Sequence, residues 1–263
     1  MSGHYVVGTG RWGTWLARRL AARGARLAGL LNRSPGRARG LAAELGSVTL
    51  TMDQLAAAAR GDDYVWLCVP DEALLALHDS LAPIPRLAAV VQASGASSHP
   101  ASPHCVATCW PIQSISAVRE PDWAALTCVV DGGSADKLTA LLGVVERHLS
   151  PGRVVVSDEA TRLRLHLAAT LTQNFGNHLW EIAERVLAPA GLGLAELLPL
   201  AQTHLEALAE GRRPVELQTG PALRGDVATM QRHLGVLGGE AAASEIYEVM
   251  SRAIAGARGS GGS

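Results

Sequence analysis

The first residues whose types and spacing could do chemistry are Gly8-Thr9-Gly10-Arg11-Trp12-Gly13, which fit G-x-G-x-x-G. The run follows a β-rich stretch that begins at Tyr5 and opens an amphipathic stretch over residues 11–23, the context in which the spacing has mechanical meaning. A first glycine permits a tight turn, a second lets backbone approach a pyrophosphate, and a third lets the helix pack closely on its strand. The helix N-terminus then faces the phosphates with free N–H groups. Gly8, Thr9, Gly10, Arg11, Trp12 and Gly13 are therefore expected to hold a dinucleotide.

The residue that separates NAD from NADP should end the second strand, roughly 20 residues past the glycines. Leu31-Asn32-Arg33-Ser34 stands there, with no acid to accept from a ribose 2′-OH. Asn32, Arg33 and Ser34, with Arg37 nearby, instead offer cationic and hydroxyl donors to a 2′-phosphate, so the expected cofactor is NADP. The same residues also read as a cap for the next helix, and Ser34 before Pro35 can do both. Two further loops, Cys68-Val69-Pro70-Asp71 and Gln92-Ala93-Ser94-Gly95-Ala96, lie where strands should end. Val69 and Pro70 are expected beside the nicotinamide, and Ser94 and Gly95 beside its ribose or a substrate. The plain alternative for each is a strand-to-helix turn, with Asp71 as N-cap.

Positioning such loops takes alternating strands and helices. Strand-like runs occupy 5–8, 26–31, 48–50, 64–69, 88–92, 105–109, 127–131 and 153–156. Helical runs lie between them at 11–23, 36–45, 54–59 (capped by Asp53), 71–80 and 135–149 (capped by Ser134). This is the pattern of a Rossmann-type, doubly wound α/β sheet, expected over residues 1–156. Residues 157–258 carry no β-rich run and read as an all-α domain; residues 259–263 are a Gly/Ser tail expected to be flexible. Leu163, Leu167, Leu171, Phe175, Leu179, Ile182 and Val186 recur at spacings of three and four, predicting one long helix of roughly 35 Å. Between Arg164 and Glu181 that helix has no charged residue apart from histidine, and Thr170, Asn174 and His178 at i, i+4 suggest a buried or interfacial stripe.

Composition bounds the rest. A chain of 263 residues with 48% apolar residues, 18% charged residues and a net charge of −1 is globular, without the basic excess of a nucleic-acid binder. No run of ~18 apolar residues suggests a membrane span, and no cationic leader precedes the first strand, so a cytoplasmic protein is expected. His104-Cys105 with Cys109 lacks a second metal-type pair, and buried thiols without a metal are expected. Among 23 basic residues the one lysine is Lys137, which falls in the sheet domain.

GTGRWG at 8–13, NRSP at 32–35, CVPDEAL at 68–74, ASGA at 93–96, WPIQSIS at 110–116, LHLAATLTQNFGNHL at 165–179 and QTGPALRGD at 218–226 together span nearly the whole chain. In these blocks it resembles the Rossmann-like NADP oxidoreductases with a helical C-terminal domain of unknown function, distant relatives of pyrroline-carboxylate reductase and ketopantoate reductase. The resemblance implies a helical domain that forms a homodimer and a cleft between the two domains, and it supplies no established substrate. Such relatives place His or Tyr where Trp110 stands and Phe where Ile115 stands, so a proton-donating role does not carry over to position 110.

Hydride transfer needs an electrophilic carbon near the cofactor and a group that stabilises or protonates the heteroatom. A helix lysine would serve a ketone, and residues 157–258 contain none. An iminium carbon is already activated, so hydrogen-bonding groups suffice. The expected function is NADP-linked reduction of a small imine or carbonyl compound, with Asn174, His178 and Gln113 as substrate or proton-transfer groups and His166 as structural. A ketopantoate-like ketone reductase with His178 in place of lysine is the alternative enzyme, and a non-catalytic NADP-binding sensor or assembly protein is the alternative of another class.

Overall fold

The computed structural model describes residues 2–84, 87–115 and 120–257; the expected tail at 259–263 and Ser116 of the WPIQSIS block lie outside them. Five strands, β1 (Gly3–Val7), β2 (Arg26–Leu31), β3 (Tyr64–Leu67), β4 (Ala89–Gln92) and β5 (Val106–Pro111), run parallel in the order β2-β1-β3-β4-β5. β6 (Thr127–Gly132) joins β5 antiparallel, and β7 (Arg153–Val156) closes the sheet parallel to β6. The fold is α/β and Rossmann-like, as expected. Residues 48–50 do not form a full strand: Gly46 takes φ +62° just before them and Thr51 caps a helix just after, leaving room for one bridge, Leu30 to Thr49.

Strand alternation divides the core. Val6, Trp66 and Val91 point to one face, where Leu16 and Leu20 of α1 (Arg11–Ala22), Leu41 of α2 (Pro35–Glu44) and Leu141 of α5 (Ala135–Val144) cover them. Tyr5, Val7, Val65 and Val90 point to the other, under Leu55 of α3 (Met52–Ala58) and Leu74 and Leu81 of α4 (Leu74–Leu81). Each fully buried leucine contributes about 1.5–3 kcal/mol. The α3 cap is Thr51, not Asp53: Thr51 Oγ1 accepts from Gln54 N while Gln54 Oε1 accepts from Thr51 N, and Asp53 sits inside the first turn. Ser134 occupies the N-cap position of α5 without a side-chain bond.

The single long helix expected beyond residue 157 is broken. α6 (Glu159–Ala169) starts under an Asp158 cap, a wide π-type turn follows at Thr170–Phe175, and α7 (Gly176–Leu187) resumes. The wide turn shifts the side-chain register. Thr170 consequently bonds back to the His166 carbonyl at 3.0 Å, and Asn174 and His178 are exposed. Two compact units divide inside this turn, at Leu171/Thr172. The second unit holds α7, α8 (Leu198–Ala209), the short α9 (Pro214–Leu217) and α10 (Pro221–Arg224), then α11 (Val227–Val236) and α12 (Ala241–Ala257). Asp226 caps α11 through Thr229 N at 3.0 Å, as its place after Gly225 suggests. Among the described residues no helix is long and apolar enough to cross a membrane.

At the opposite end of the sheet from the glycine loop, His4 of β1 is 2% exposed, stacks on Tyr64 and accepts from Trp66 Nε1 at 3.1 Å. Burial, reinforced by nearby His148, lowers its pKa from 6.5 to about 4 despite the opposing charge of Asp63. The folded protein thus prefers neutral His4, and the stability it confers is complete above pH 6.5 and drains away as pH falls toward about 4. The linkage amounts to about 2 kcal/mol by about pH 5. Urea unfolding of native protein and His4→Gln across this window should show the native stability falling more steeply, by that difference; parallel curves would remove His4 as the cause.

Candidate functional site

The parallel strands β1 to β5 deliver Gly8, Asn32, Cys68, Ala93 and Ile112 to one edge of the sheet, their carboxyl ends. Open α/β sheets bind ligands there. Gly8 has φ +94°, and a Cβ on it would meet the Cys68 carbonyl carbon at 2.8 Å and Val69 Cγ1 at 2.8 Å. The second loop therefore packs directly on the first. A Cβ on Gly13 would collide with the Gly8 carbonyl oxygen, whereas one on Gly10 would meet nothing within 4 Å. Gly10 thus borders open space at the start of α1. No side chain caps that helix and its first turn has no acid, so its leading N–H groups and partial positive charge are left for an anion. Buried Thr9 accepts through Oγ1 from Asn32 Nδ2, which ties the glycine loop to the end of β2. Trp12 is buried against Trp123 and forms part of the core, and exposed Arg11 reaches the Ile115 carbonyl at 3.4 Å.

At the end of β2, Asn32 Oδ1 accepts from Ser34 N at 2.9 Å, and Arg33, Ser34 and Arg37 are exposed. Ser34 holds the N-cap position of α2 without a side-chain bond, so its hydroxyl remains a donor. The residues present therefore fit a dinucleotide carrying a 2′-phosphate.

The loops after β3 and β4 are built more firmly than their sequence suggests. Ser94 Oγ donates to Asp71 Oδ2 at 3.0 Å and accepts from Ser97 N at 2.8 Å and Ala96 N at 3.2 Å. Asp71 accordingly joins the two loops instead of capping α4. Arg162 of α6, 0% exposed, donates to the Ser94 carbonyl at 3.2 Å, the Ser97 carbonyl at 2.9 Å and Asp131 Oδ2 at 2.6 Å. Gln92 Nε2 adds a bond to Ser97 O at 3.1 Å, and His99 Nε2 lies 2.9 Å from Thr108 Oγ1 and 3.2 Å from Asp131 Oδ1. Burial alone would raise the Asp131 carboxyl pKa, but the facing His99 and the hydrogen bond and charge of Arg162 outweigh it and hold the group below its ordinary value. Sequence reading missed Arg162, Asp131 and His99. The available signal was a charged residue between Asp158 and the apolar stripe, facing an acid that ends a strand-like run.

The expected catalytic residues do not share one unit. Gln113 is exposed just beyond β5 and donates to the Ser114 carbonyl at 3.3 Å. Asn174 lies in the wide turn and His178 on α7, both in the second unit, where His178 Nδ1 is 3.0 Å from Glu181. Val69 is half-buried and Pro70 exposed at the β3 end; Ser94 and Gly95 are buried. Gly95 is narrowly enclosed, since a Cβ would meet Trp110 Cε2 at 2.7 Å and the His166 ring.

Residues 5–94 match the family model described as NADP oxidoreductase coenzyme F420-dependent, and residues 126–254 match the domain of unknown function DUF2520. The chain joins an NADP oxidoreductase domain to a DUF2520 domain. The family resemblance read from sequence is borne out, and NADP is the cofactor of the matched family. No curated protein matches the chain. A Bacteroides fragilis structure described as a candidate NADP oxidoreductase is 26% identical, over 97% of this chain and 98% of that one, with a TM-score of 0.81. A reductive aminase from Aspergillus terreus, solved with NADPH and ethyl-5-oxohexanoate, is 17% identical over 96% and 94%, with a TM-score of 0.69. An imine reductase from Myxococcus stipitatus in complex with NADP+ is 18% identical over 98% and 95%, with a TM-score of 0.67. The last two share the fold.

The glycine geometry separates folding from binding inside the NADP oxidoreductase domain. Gly13→Ala should cost about 1–3 kcal/mol or more, because its Cβ meets backbone. Gly10→Ala should stay within about 0.5 kcal/mol of native stability yet weaken NADPH at least ~10-fold, since its methyl enters the open space at the helix start. Urea unfolding beside NADPH fluorescence titration reads both; a Gly10→Ala protein that binds normally would show that phosphate does not approach there.

Proposed function

We propose that the protein is an NADP(H)-dependent reductase of a small imine or carbonyl compound. The observation that carries this reading is the open space at Gly10 before the uncapped α1, inside an NADP oxidoreductase domain whose β2 end presents Arg33, Ser34 and Arg37 and no acid. Gly8 to Gly13 would hold the pyrophosphate, Asn32 to Ser34 the 2′-phosphate, and Val69, Pro70, Ser94 and Gly95 the nicotinamide end. NADPH supplies a hydride when bound. The chain supplies orientation: the Arg162 and Asp71 contacts fix the loop that carries Ser94 and Gly95. Gln113, Asn174 and His178 are the proposed substrate-facing groups, His178 through Nε2 because Nδ1 meets Glu181. The absence of lysine from the helical half favours an imine over an unactivated ketone, as does the fold shared with imine reductases and a reductive aminase.

Turnover is tested by NADPH oxidation against a panel of cyclic imines and small ketones. At least one imine should be reduced, and Arg33→Ala should raise the Kd for NADPH about 10-fold while leaving NADH unchanged. NADPH binding without oxidation against the whole panel would favour the sensor reading instead.

We further propose a homodimer through the helical half. Leu200, Leu205, Val215 and Val236 are 64–73% exposed, and among the described residues of the second unit Ala222 and Ala243 are the buried ones. Apolar side chains in that number call for another surface, and a second copy offers the same chemistry in reverse. Light scattering should return twice the chain mass, with a Tm that rises with protein concentration. A monomer with a concentration-independent Tm would rule the arrangement out.

A further inference from the structure

We propose that His166 is the proton donor to the substrate heteroatom, with Trp110 as the wall beside it, and that the substrate is a neutral imine or carbonyl compound, not a permanently charged iminium. This rests on the reductase reading above. Arg162 fixes α6 to the loop after β4 through the Ser94 and Ser97 carbonyls. His166 follows at i+4 on the same helix face. Its ring consequently lies over Gly95, where any Cβ would strike both it and Trp110. The Trp110 and His166 ring centroids are 5.4 Å apart, inclined at 57°. Only glycine at position 95 allows backbone, indole and imidazole to meet there, at the sheet edge where the nicotinamide end is proposed.

His166 is half-buried, and among the described residues neither of its ring nitrogens has a hydrogen-bond partner. Every other histidine of the first unit engages a ring nitrogen, as His4 does with Trp66, His78 with Gln92, His104 with Leu81 O and His148 with Arg23 O. An imidazole placed at a ligand edge and left without a structural partner is free to serve a ligand. The charged group one turn away on α6 is Arg162, which Asp131 of β6 neutralises. β5 contributes the uncharged Trp110 and the loop the uncharged Gly95.

The reaction balances as C=N plus NADPH plus one proton giving CH–NH and NADP+. Hydride forms the new C–H bond, the π pair of C=N takes the imidazolium proton, and neutral His166 regains a proton from water. A quaternary iminium needs no proton, so its reduction should bypass His166. Steady-state assays with native protein and His166→Gln, using trimethylindolenine and pyrroline as neutral imines and their N-methyl iminium salts, read the difference. The variant should lose about 10²-fold in kcat on the neutral imines and less than about 3-fold on the salts, and should lose the high-pH fall in kcat that reports the acid. His166→Asn provides a second variant if the first unfolds. Equal losses on both substrate kinds, or no shift of the His166 imidazole NMR signal on adding NADP+, would overturn the role of His166 while sparing the reductase reading. Native protein that reduces neither kind would overturn the reductase reading itself and this role with it.

Discussion

The buried pair of Arg162 and Asp131 is the constraint on which the candidate site depends. A guanidinium 0% exposed has lost its water, and only fixed partners can replace that solvation. Here one carboxylate and two main-chain carbonyls do so, at 2.6–3.2 Å. Those partners belong to β6 and to the loop after β4, while the arginine belongs to α6, so one side chain ties three separate segments together. Removing it would strand the Asp131 charge in the core, a loss typically of about 3–5 kcal/mol. Lysine could not take its place, because a point charge has no planar fork with which to serve three acceptors in different directions. The chain's preference for arginine thus has a structural use here, apart from any role in binding phosphate.

Enclosure at the sheet edge follows from the same packing. Gly8, Gly13 and Gly95 each sit where a Cβ would strike backbone or a ring, which lets the glycine loop, the β3 loop and the β4 loop approach one another. Gly10 is the contrast: its Cβ position is empty. Three glycines therefore serve the protein's own packing, and one leaves space for something else. A sequence motif treats these glycines alike, and the packing around them distinguishes their roles.

Much of the architecture was legible because it is local. Alternating β-rich and amphipathic runs located all seven named strands, and the position of G-x-G-x-x-G between strand and helix located the glycine loop. What failed did so for identifiable reasons. Residues 48–50 had strand composition but too little chain between a left-handed glycine and a helix cap. Asp53 resembled a cap because a capping box offset by two residues, Thr51 with Gln54, competes for the same turn. The spine helix kept its apolar period across 163–186, yet a wide turn at Thr170–Phe175 breaks it; periodicity records which side chains are apolar and does not record a local change in residues per turn. The neighbours of His166, Gly95 and Trp110, lie far away from it in sequence. Contacts of that separation leave no mark in spacing.

The helical half shows how apolar pattern and apolar burial can part company. Its leucines and valines recur with helical period, so helices form, but period alone does not say what the apolar face covers. In the first unit the corresponding side chains reach a sheet and are buried within two dense clusters. In the second, full burial among the described residues is confined to Ala222 and Ala243, while Arg185 pairs with Glu181 and Glu240. Helices of this length draw most of their stability from packing an amphipathic face, not from propensity. With Leu200, Leu205, Val215 and Val236 exposed and Leu187, Leu208, Leu234 and Ile246 only half-buried, the second unit draws less on that force than the first. On that ground the proposed dimer would add burial that the helical half does not reach by itself.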